Sequence, residues 1–290
     1  MREHQLRRLR SGQAVELLPQ HGRSGASATS AVPAGCMPPT REKQLADHGT
    51  DNAGGVHADA GAATSVDQSV LATFCFVDIA GYTALTDSHG ERAAADLVDS
   101  FNRLVHAAVD RLGTVQELSG DNAFLVFPDP VLALQALAQL YSAIADQQGL
   151  PLVRAGLHHG PALLRAHRYF GSTVNLAART AAQAVGGEIL CTRPVVDALA
   201  LHDWARTATF EHRGPVALKN LPEPIDLYAI SMTNLARRYE IDPVCQMQVE
   251  AQRDGNTIFL EGRQWWFCSS ACAQRFEKTP GVFLPNRRRE

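Results

Sequence analysis

Two aspartates stand where this chain could do chemistry. Asp78 ends the apolar run Phe74-Cys75-Phe76-Val77 and is followed by Ile79-Ala80-Gly81, while Asp121 sits in the turn "SGDN" between two short apolar runs. Alone, each has an ordinary use as a turn or helix-entry residue. Brought to one sheet edge, the two carboxylates suit Mg²⁺ or Mn²⁺, hard cations that take oxygen ligands and keep positions open for phosphate oxygens. That is an arrangement for phosphoryl transfer. The small residues Ala80 and Gly81 leave backbone N–H groups free to approach such oxygens. A second group is Cys245, Cys268 and Cys272, spaced C-x22-C-x3-C, with the last two one helical turn apart. These thiols suit Zn²⁺ or another soft metal, or pack as small apolar side chains beside Trp265 and Trp266. The shortness of their segment favours the metal, because a small module gains little from its core. Three thiolates without an obvious fourth protein ligand would leave one position open.

The elements that must position these groups begin near residue 70. Leu71 to Ile79 is expected as a buried strand, and Leu97, Phe101, Leu104, Val105, Ala108 and Leu112 recur at helical spacing up to Gly113. "TVQEL" and "AFLVF" are two short strands about the "SGDN" turn, followed by a helix in "DPVLALQALAQLYSAIADQQ" and a strand in "LVRAGLHHG". The order β-α-β-β-α-β predicts an α/β (α+β) fold of the ferredoxin-like split type, in which the hairpin lies beside the first strand. Asp121 would then meet Asp78. A third helix in "TVNLAARTAAQAV" and strands at "EILC", "TATFEHR" and "IDLYAIS" complete the layer.

The motifs "FVDIAGYTALT", "ELSGDNAFLVF", "YFGSTVNLAART" and "ALKNLPEPIDLYAI" together resemble the class III adenylate/guanylate cyclase catalytic domain, over residues 69–232. The resemblance implies two Mg²⁺ or Mn²⁺ ions per site, held by Asp78, Asp121 and the Ile79 carbonyl. It implies that Asn175 orients the ribose, that Arg179 stabilises the pentavalent phosphorus, and that Lys219 grips the triphosphate, with Asn220 where a glycine usually follows. The implied reaction is intramolecular, the ribose 3′-oxygen attacking the α-phosphorus in line as pyrophosphate leaves. The aspartates and the Asn/Arg pair come from different protomers, so a homodimer with two sites is expected. At the base-reading positions, Glu117 replaces the lysine of adenylate-type domains and Arg168 replaces their aspartate. Glu117 accepting from N1–H and N2–H₂, and Arg168 donating to O6 and N7, would complement guanine. ATP stays possible, UTP also fits a donor beside an acceptor, and Glu117 paired to Arg168 would merely fill the pocket.

Residues 240–286, "IDPVCQMQVEAQRDGNTIFLEGRQWWFCSSACAQRF" within them, resemble a YHS-type metal-binding module, with a hairpin turning at Glu261-Gly262 and a helix opening at "FCSSACAQRF". The joining segment "SMTNLARRYE" is short and has no Pro or Gly, which would keep the module close. Residues 1–68 are rich in Gly, Ala, Ser, Asp and Thr without a regular period, and are expected to be disordered. The formal net charge of -3 gives no case for nucleic acid. No apolar run reaches the roughly 18 residues of a bilayer span. Six cysteines without a signal-peptide core point to a reducing, cytoplasmic setting. Two functions follow: a nucleotide cyclase carrying a metal or redox sensor, or a metal-handling adaptor whose cyclase-like domain binds nucleotide with weak activity.

Overall fold

The alternating run of Phe74, Cys75, Phe76 and Val77 makes a strand that buries both faces, and the rest of the fold is layered on it. A computed structural model of the chain describes residues 67–200, 202, 208–232, 239–250 and 256–284. The reading of residues 1–66 as disordered, and that of the joining segment over 233–238, lie outside them. β1 (Gln68–Ile79) pairs antiparallel with β3 (Asn122–Phe127) on one side and β4 (Val153–Arg165) on the other, and β2 (Thr114–Ser119) pairs with β3. The order β2-β3-β1-β4 is the expected split β-α-β-β-α-β arrangement, and β6 (Ile189–Thr192), β8 (Ile225–Met232) and β7 (Ala208–Val216) extend it beyond β4.

Helices cover both faces. α2 (Glu91–Val109) and α3 (Pro130–Ala145) bury Phe101, Val105, Leu134 and Leu137 against Cys75, Val77, Leu125 and Leu157. The Asp129 carboxylate caps α3 by accepting from the Val131 and Leu132 amides at 2.8 and 2.9 Å, and Pro130 opens the helix, where its missing N–H costs nothing. On the other face α4 (Ser172–Gln183) lays Ala177 over Phe74, Phe124 and Val126. A Cβ on Gly156 would stand 2.0 Å from the Ala181 amide nitrogen, so α4 comes this close to β4 only because residue 156 is glycine.

Three short elements were not foreseen from periodicity. α1 (Tyr82–His89) is set off by Gly81 at φ 71° and Gly90 at φ 83°, so the chain after Asp78 makes a separate helix before α2. β5 (Arg168–Phe170) folds back on β4, and α5 (Arg193–Leu199) follows β6, with Pro194 in its first turn. Among the described residues no helix is long and apolar enough to cross a membrane.

The C-terminal segment has β9 (Glu240–Ile241) paired with β10 (Gln248–Val249), then the hairpin β11 (Thr257–Leu260) and β12 (Arg263–Trp266). The hairpin turns at Glu261 and Gly262 with φ 53° and 78°, the two positive angles of a type I′ turn. α6 (Ser270–Lys278) and α7 (Pro280–Phe283) follow. This module shares a core with the main domain: Leu85 of α1 and Ala94 of α2 are buried with Val244, Cys245, Phe267, Cys272 and Phe276. Its first turn is also laced to the segment before β4, the Leu152 amide donating to the Gln246 carbonyl at 2.9 Å and the Gln248 amide to the Leu150 carbonyl at 3.0 Å.

The buried Gln248 side chain donates from Nε2 to the carbonyls of Ile144, Gln147 and Leu150 at 2.8, 3.2 and 3.3 Å. The Ile144 and Leu150 carbonyls keep backbone donors, the Gln147 and Gln248 amides, so an apolar replacement loses the net worth of the two side-chain N–H groups, about 0.5–1.5 kcal/mol each or about 1–3 kcal/mol together. Gln248→Met is therefore expected to lower the chemical-denaturation free energy of the full chain by that amount, and an unchanged midpoint would show that these bonds do not hold the module.

Candidate active site

Antiparallel register decides what surrounds Asp78. Its direct neighbours on the same face are Asn122 of β3 and Arg154 of β4. Arg154 Nε donates to Asp78 Oδ2 at 2.8 Å, its Nη2 donates to the same oxygen, and its Nη1 donates to the Ala184 carbonyl at 3.4 Å. Asp121, in the tight β2–β3 turn, is tied in by the Ile79 amide donating to its carbonyl at 2.9 Å. Asp78 and Asp121 thus come together at the end of β1. Burial, and next the negative charge of Asp78, hold the Asp121 carboxyl above the usual carboxylate range. The Ala80 amide donates to Leu152, so of the two small residues after Asp78, Ala80 has no free N–H for a phosphate.

Arg154 was not among the residues singled out from sequence. Its signal was present, an arginine between Val153 and Ala155 in an otherwise apolar strand, but its meaning depends on a strand register across 76 residues.

A second group forms where β2 meets the β4–β5 hairpin. The hairpin folds over the sheet with Tyr169 edge-on to Phe74 at 5.4 Å, and the Gln116 side chain donates to the His167 carbonyl at 2.7 Å. Glu117 and Arg168 are the next residues on each side of that bond. Both are exposed, and they form no ion pair with each other. Glu117 opposes Phe124, which stacks on Phe76 at 4.6 Å and 3°.

Asn175, Arg179 and Lys219 are not brought to the carboxylates. The buried stripe of α4 is Thr173, Ala177, Thr180 and Ala181. At 100° per residue Asn175 and Arg179 lie on the opposite side, turned away from their own sheet. Lys219 is exposed in the β7–β8 connection. That connection precedes Ile225, whereas the Asp78 row lies level with the other end of β8, about 20 Å away at about 3.3 Å per residue. Asn220 adopts φ 58°, a left-handed conformation asparagine accepts more readily than other side chains, so it supplies the turn a glycine would.

The three cysteines do converge, and the structure adds a residue sequence reasoning missed. His89, the last residue of α1, places Nε2 beside the sulfurs, and the ligand atoms of His89, Cys245, Cys268 and Cys272 all lie within 4.8 Å of one another. The expected open fourth position is therefore faced by a histidine of the main domain. Hydrogen bonds from Cys245 and Cys268 pull the Cys272 thiol far below its ordinary range, and bonds to Cys268 and Cys272 push Cys245 far above it. Only its position next to the helix-ending Gly90 marks His89 in the sequence.

Residues 130–232 match the family described as Adenylate and Guanylate cyclase catalytic domain. The match takes in Arg154, Arg168, Asn175, Arg179 and Lys219 and begins after the two aspartates. An uncharacterized protein of Mycobacterium tuberculosis is 32% identical over 173 residues, covering 58% of this chain and 43% of that protein. A pH-sensitive adenylate cyclase of the same species is 29% identical over 168 residues, covering 54% and 40%. The chain thus spans less than half the length of these relatives. Among solved structures, an adenylate cyclase of Trypanosoma brucei in its monomeric state superposes with TM-score 0.51 at 21% identity, covering 58% of this chain and 91% of the other. The catalytic core of a rhodopsin-guanylyl cyclase superposes with TM-score 0.52 at 16% identity, covering 58% and 99%. The split sheet, its flanking helices and these superpositions agree: the main domain has the fold of an adenylate/guanylate cyclase catalytic domain.

Proposed function

We propose that the chain is a nucleotide cyclase that converts a purine nucleoside triphosphate, preferentially GTP, to a 3′,5′-cyclic nucleotide and pyrophosphate, acting as a homodimer. The observation that carries this is the division of the site residues into two sets on one domain. Asp78, Asp121 and Arg154 converge at the end of β1, while Asn175 and Arg179 turn outward on α4, where they suit a substrate held by a second copy.

The carboxylate pair fits a divalent cation. Its like charges are already close enough to raise Asp121, and Arg154 supplies the positive charge that Asp78 draws in. Asp78, Asp121 and the Ile79 carbonyl would hold Mg²⁺ or Mn²⁺, which when bound acts as a Lewis acid on phosphate and ribose oxygens. Arg154, paired with Asp78, would keep fixed positive charge beside the phosphates such a cation would hold. On the complementary set, Glu117 accepts from the guanine edge and Arg168 donates to it, Asn175 orients the ribose, and Lys219 holds phosphate. Arg179 offers fixed positive charge where negative charge develops, a contribution commonly worth about 2.7–4 kcal/mol per donor. The C-terminal module is proposed to be a YHS-type metal-binding domain. The relatives named adenylate cyclases support a purine substrate, and the exposed, mutually unpaired Glu117 and Arg168 favour GTP over ATP.

Asp78→Ala and Arg179→Ala are each expected to abolish product formation from GTP and Mn²⁺, and a mixture of the two to regain part of it, since one of the two hybrid sites is intact. A folded, subunit-exchanging mixture that stays silent would refute the shared site.

For base choice, wild-type protein should turn over GTP faster than ATP, and Glu117→Lys should move the ratio toward ATP by roughly tenfold to a hundredfold, the weight of one charged hydrogen bond of about 1.5–3 kcal/mol. Equal wild-type turnover of both would count against base reading by Glu117.

Asp121 gives a pH test. Its folded pKa lies above the ordinary value of 3.8, so ionising it costs native stability; the cost is present above the folded pKa and absent below the ordinary one. Protons and the cation compete for the same carboxylate. The Mn²⁺-induced rise in Tm should therefore shrink as pH falls toward the raised folded pKa of Asp121, and Asp121→Asn should raise Tm of cation-free protein at neutral pH while removing the Mn²⁺ response. A response independent of pH and of residue 121 would contradict the assignment.

A further inference from the structure

The four donors of the thiol cluster have the spacing of a coordination polyhedron. Cys268 Sγ stands 3.5 Å from Cys245 Sγ and 3.7 Å from Cys272 Sγ, and His89 Nε2 stands 3.3 Å from Cys268 Sγ and 3.9 Å from Cys272 Sγ. A tetrahedral zinc ion, about 2.3 Å from sulfur and about 2.0–2.1 Å from nitrogen, requires edges of about 3.8 Å between sulfurs and about 3.6 Å between sulfur and nitrogen. The two sulfur–nitrogen edges lie on either side of the required value, and the two sulfur–sulfur edges fall just short of theirs. A disulfide would need sulfurs about 2.05 Å apart and would use only two of the four donors. We propose that His89, Cys245, Cys268 and Cys272 hold one four-coordinate Zn²⁺ that fastens the C-terminal module to the end of α1, with His89 supplied by the main domain.

The surroundings fix each donor independently. Asp242 is fully buried, and its carboxylate accepts from the Val244 amide at 2.8 Å and the Cys268 amide at 2.9 Å, joining the turn that carries Cys245 to the strand end that carries Cys268. Ser269 caps α6 and accepts from the Cys272 amide at 3.2 Å. Beside His89, Asp87 takes a bond from Arg275 of α6 at 2.8 Å, which holds the last turn of α1 against the module. Groups of this kind around a metal orient its ligands, and their loss typically costs about 10–100-fold in affinity.

The site also has a route to Asp78. α1 is fastened at His89 and begins at Tyr82, just after Gly81. A Cβ on Gly81 would stand 3.2 Å from the Cys245 carbonyl carbon, and one on Gly186 would stand 2.6 Å from Gln246 Oε1 and 3.1 Å from the Ala80 Cβ. The turn bearing Cys245 is therefore packed directly on residues 80–81. Zinc at this point clamps both ends of α1, one through His89 and the other through the Cys245–Gln246 turn, and so restrains the segment that follows Asp78.

The test uses the purified full chain. Elemental analysis should find one zinc per chain, and cobalt exchanged into the site should show the strong visible absorption of four-coordinate thiolate ligation. His89→Ala should weaken zinc by more than about tenfold against a competing chelator, since a direct ligand should matter at least as much as an outer partner, and should change the cobalt spectrum. His89→Cys should restore affinity and add thiolate-to-metal absorption. Zinc removal should speed amide hydrogen exchange in peptides over 78–90 while leaving those over 189–199 unchanged. Metal well below one per chain, a Cys245–Cys268 disulfide in its place, or a His89→Ala protein with wild-type affinity and spectrum would each overturn the proposal. If His89→Ala does not fold, an unaltered cobalt spectrum in His89→Cys overturns it equally.

Discussion

Two carboxylates at the same sheet edge repel each other, and the main domain is built to contain that repulsion without removing it. Both charges are nevertheless kept, which suits the edge to the divalent cation proposed for it. The sheet order supplies the containment. β1 runs between β3 and β4, so Asp78 has the Asp121 turn on one side and the Arg154 row on the other, and the arginine offsets one of the two charges until something else does. Burial and that repulsion together hold the Asp121 carboxyl above its ordinary range.

The split fold could be read from the chain because its signals are local. The apolar run of β1, the helical spacing from Leu97 to Leu112 and the turn at Asp121 each announce themselves within a few residues. So does the Glu261-Gly262 turn, where glycine takes one of the two positive φ angles. The helix α1 could not be read, since only the left-handed angles at Gly81 and Gly90 separate it from its neighbours. Arg154 and His89 were illegible for a different reason: each acquires its meaning from a partner far along the chain, Asp78 across 76 residues and Cys268 across 179. Long-range pairing of this kind leaves no periodic trace.

The site residues divide along the same line. Asp78, Asp121 and the three cysteines were recognisable from their spacing, and the structure assembles both sets. Asn175, Arg179 and Lys219 were recognisable only through family resemblance, and within one copy they stand apart from the carboxylates. An active site divided between copies looks incomplete in each, and the outward face of α4 has the residue types of a site without the neighbours of one.

The core shared by Leu85, Ala94, Val244, Phe267 and Phe276 bears on what counts as a domain here. The family match ends at residue 232, yet residues on both sides of that point belong to one compact unit. A fragment ending there would keep every side chain proposed to handle nucleotide and yet expose the apolar flank of α1 and α2 to water, together with the hollow that Gln246 fills beside Ala80. Such a fragment would be prone to self-association through that flank. Its behaviour would then describe the exposed flank more than the chemistry of the intact chain.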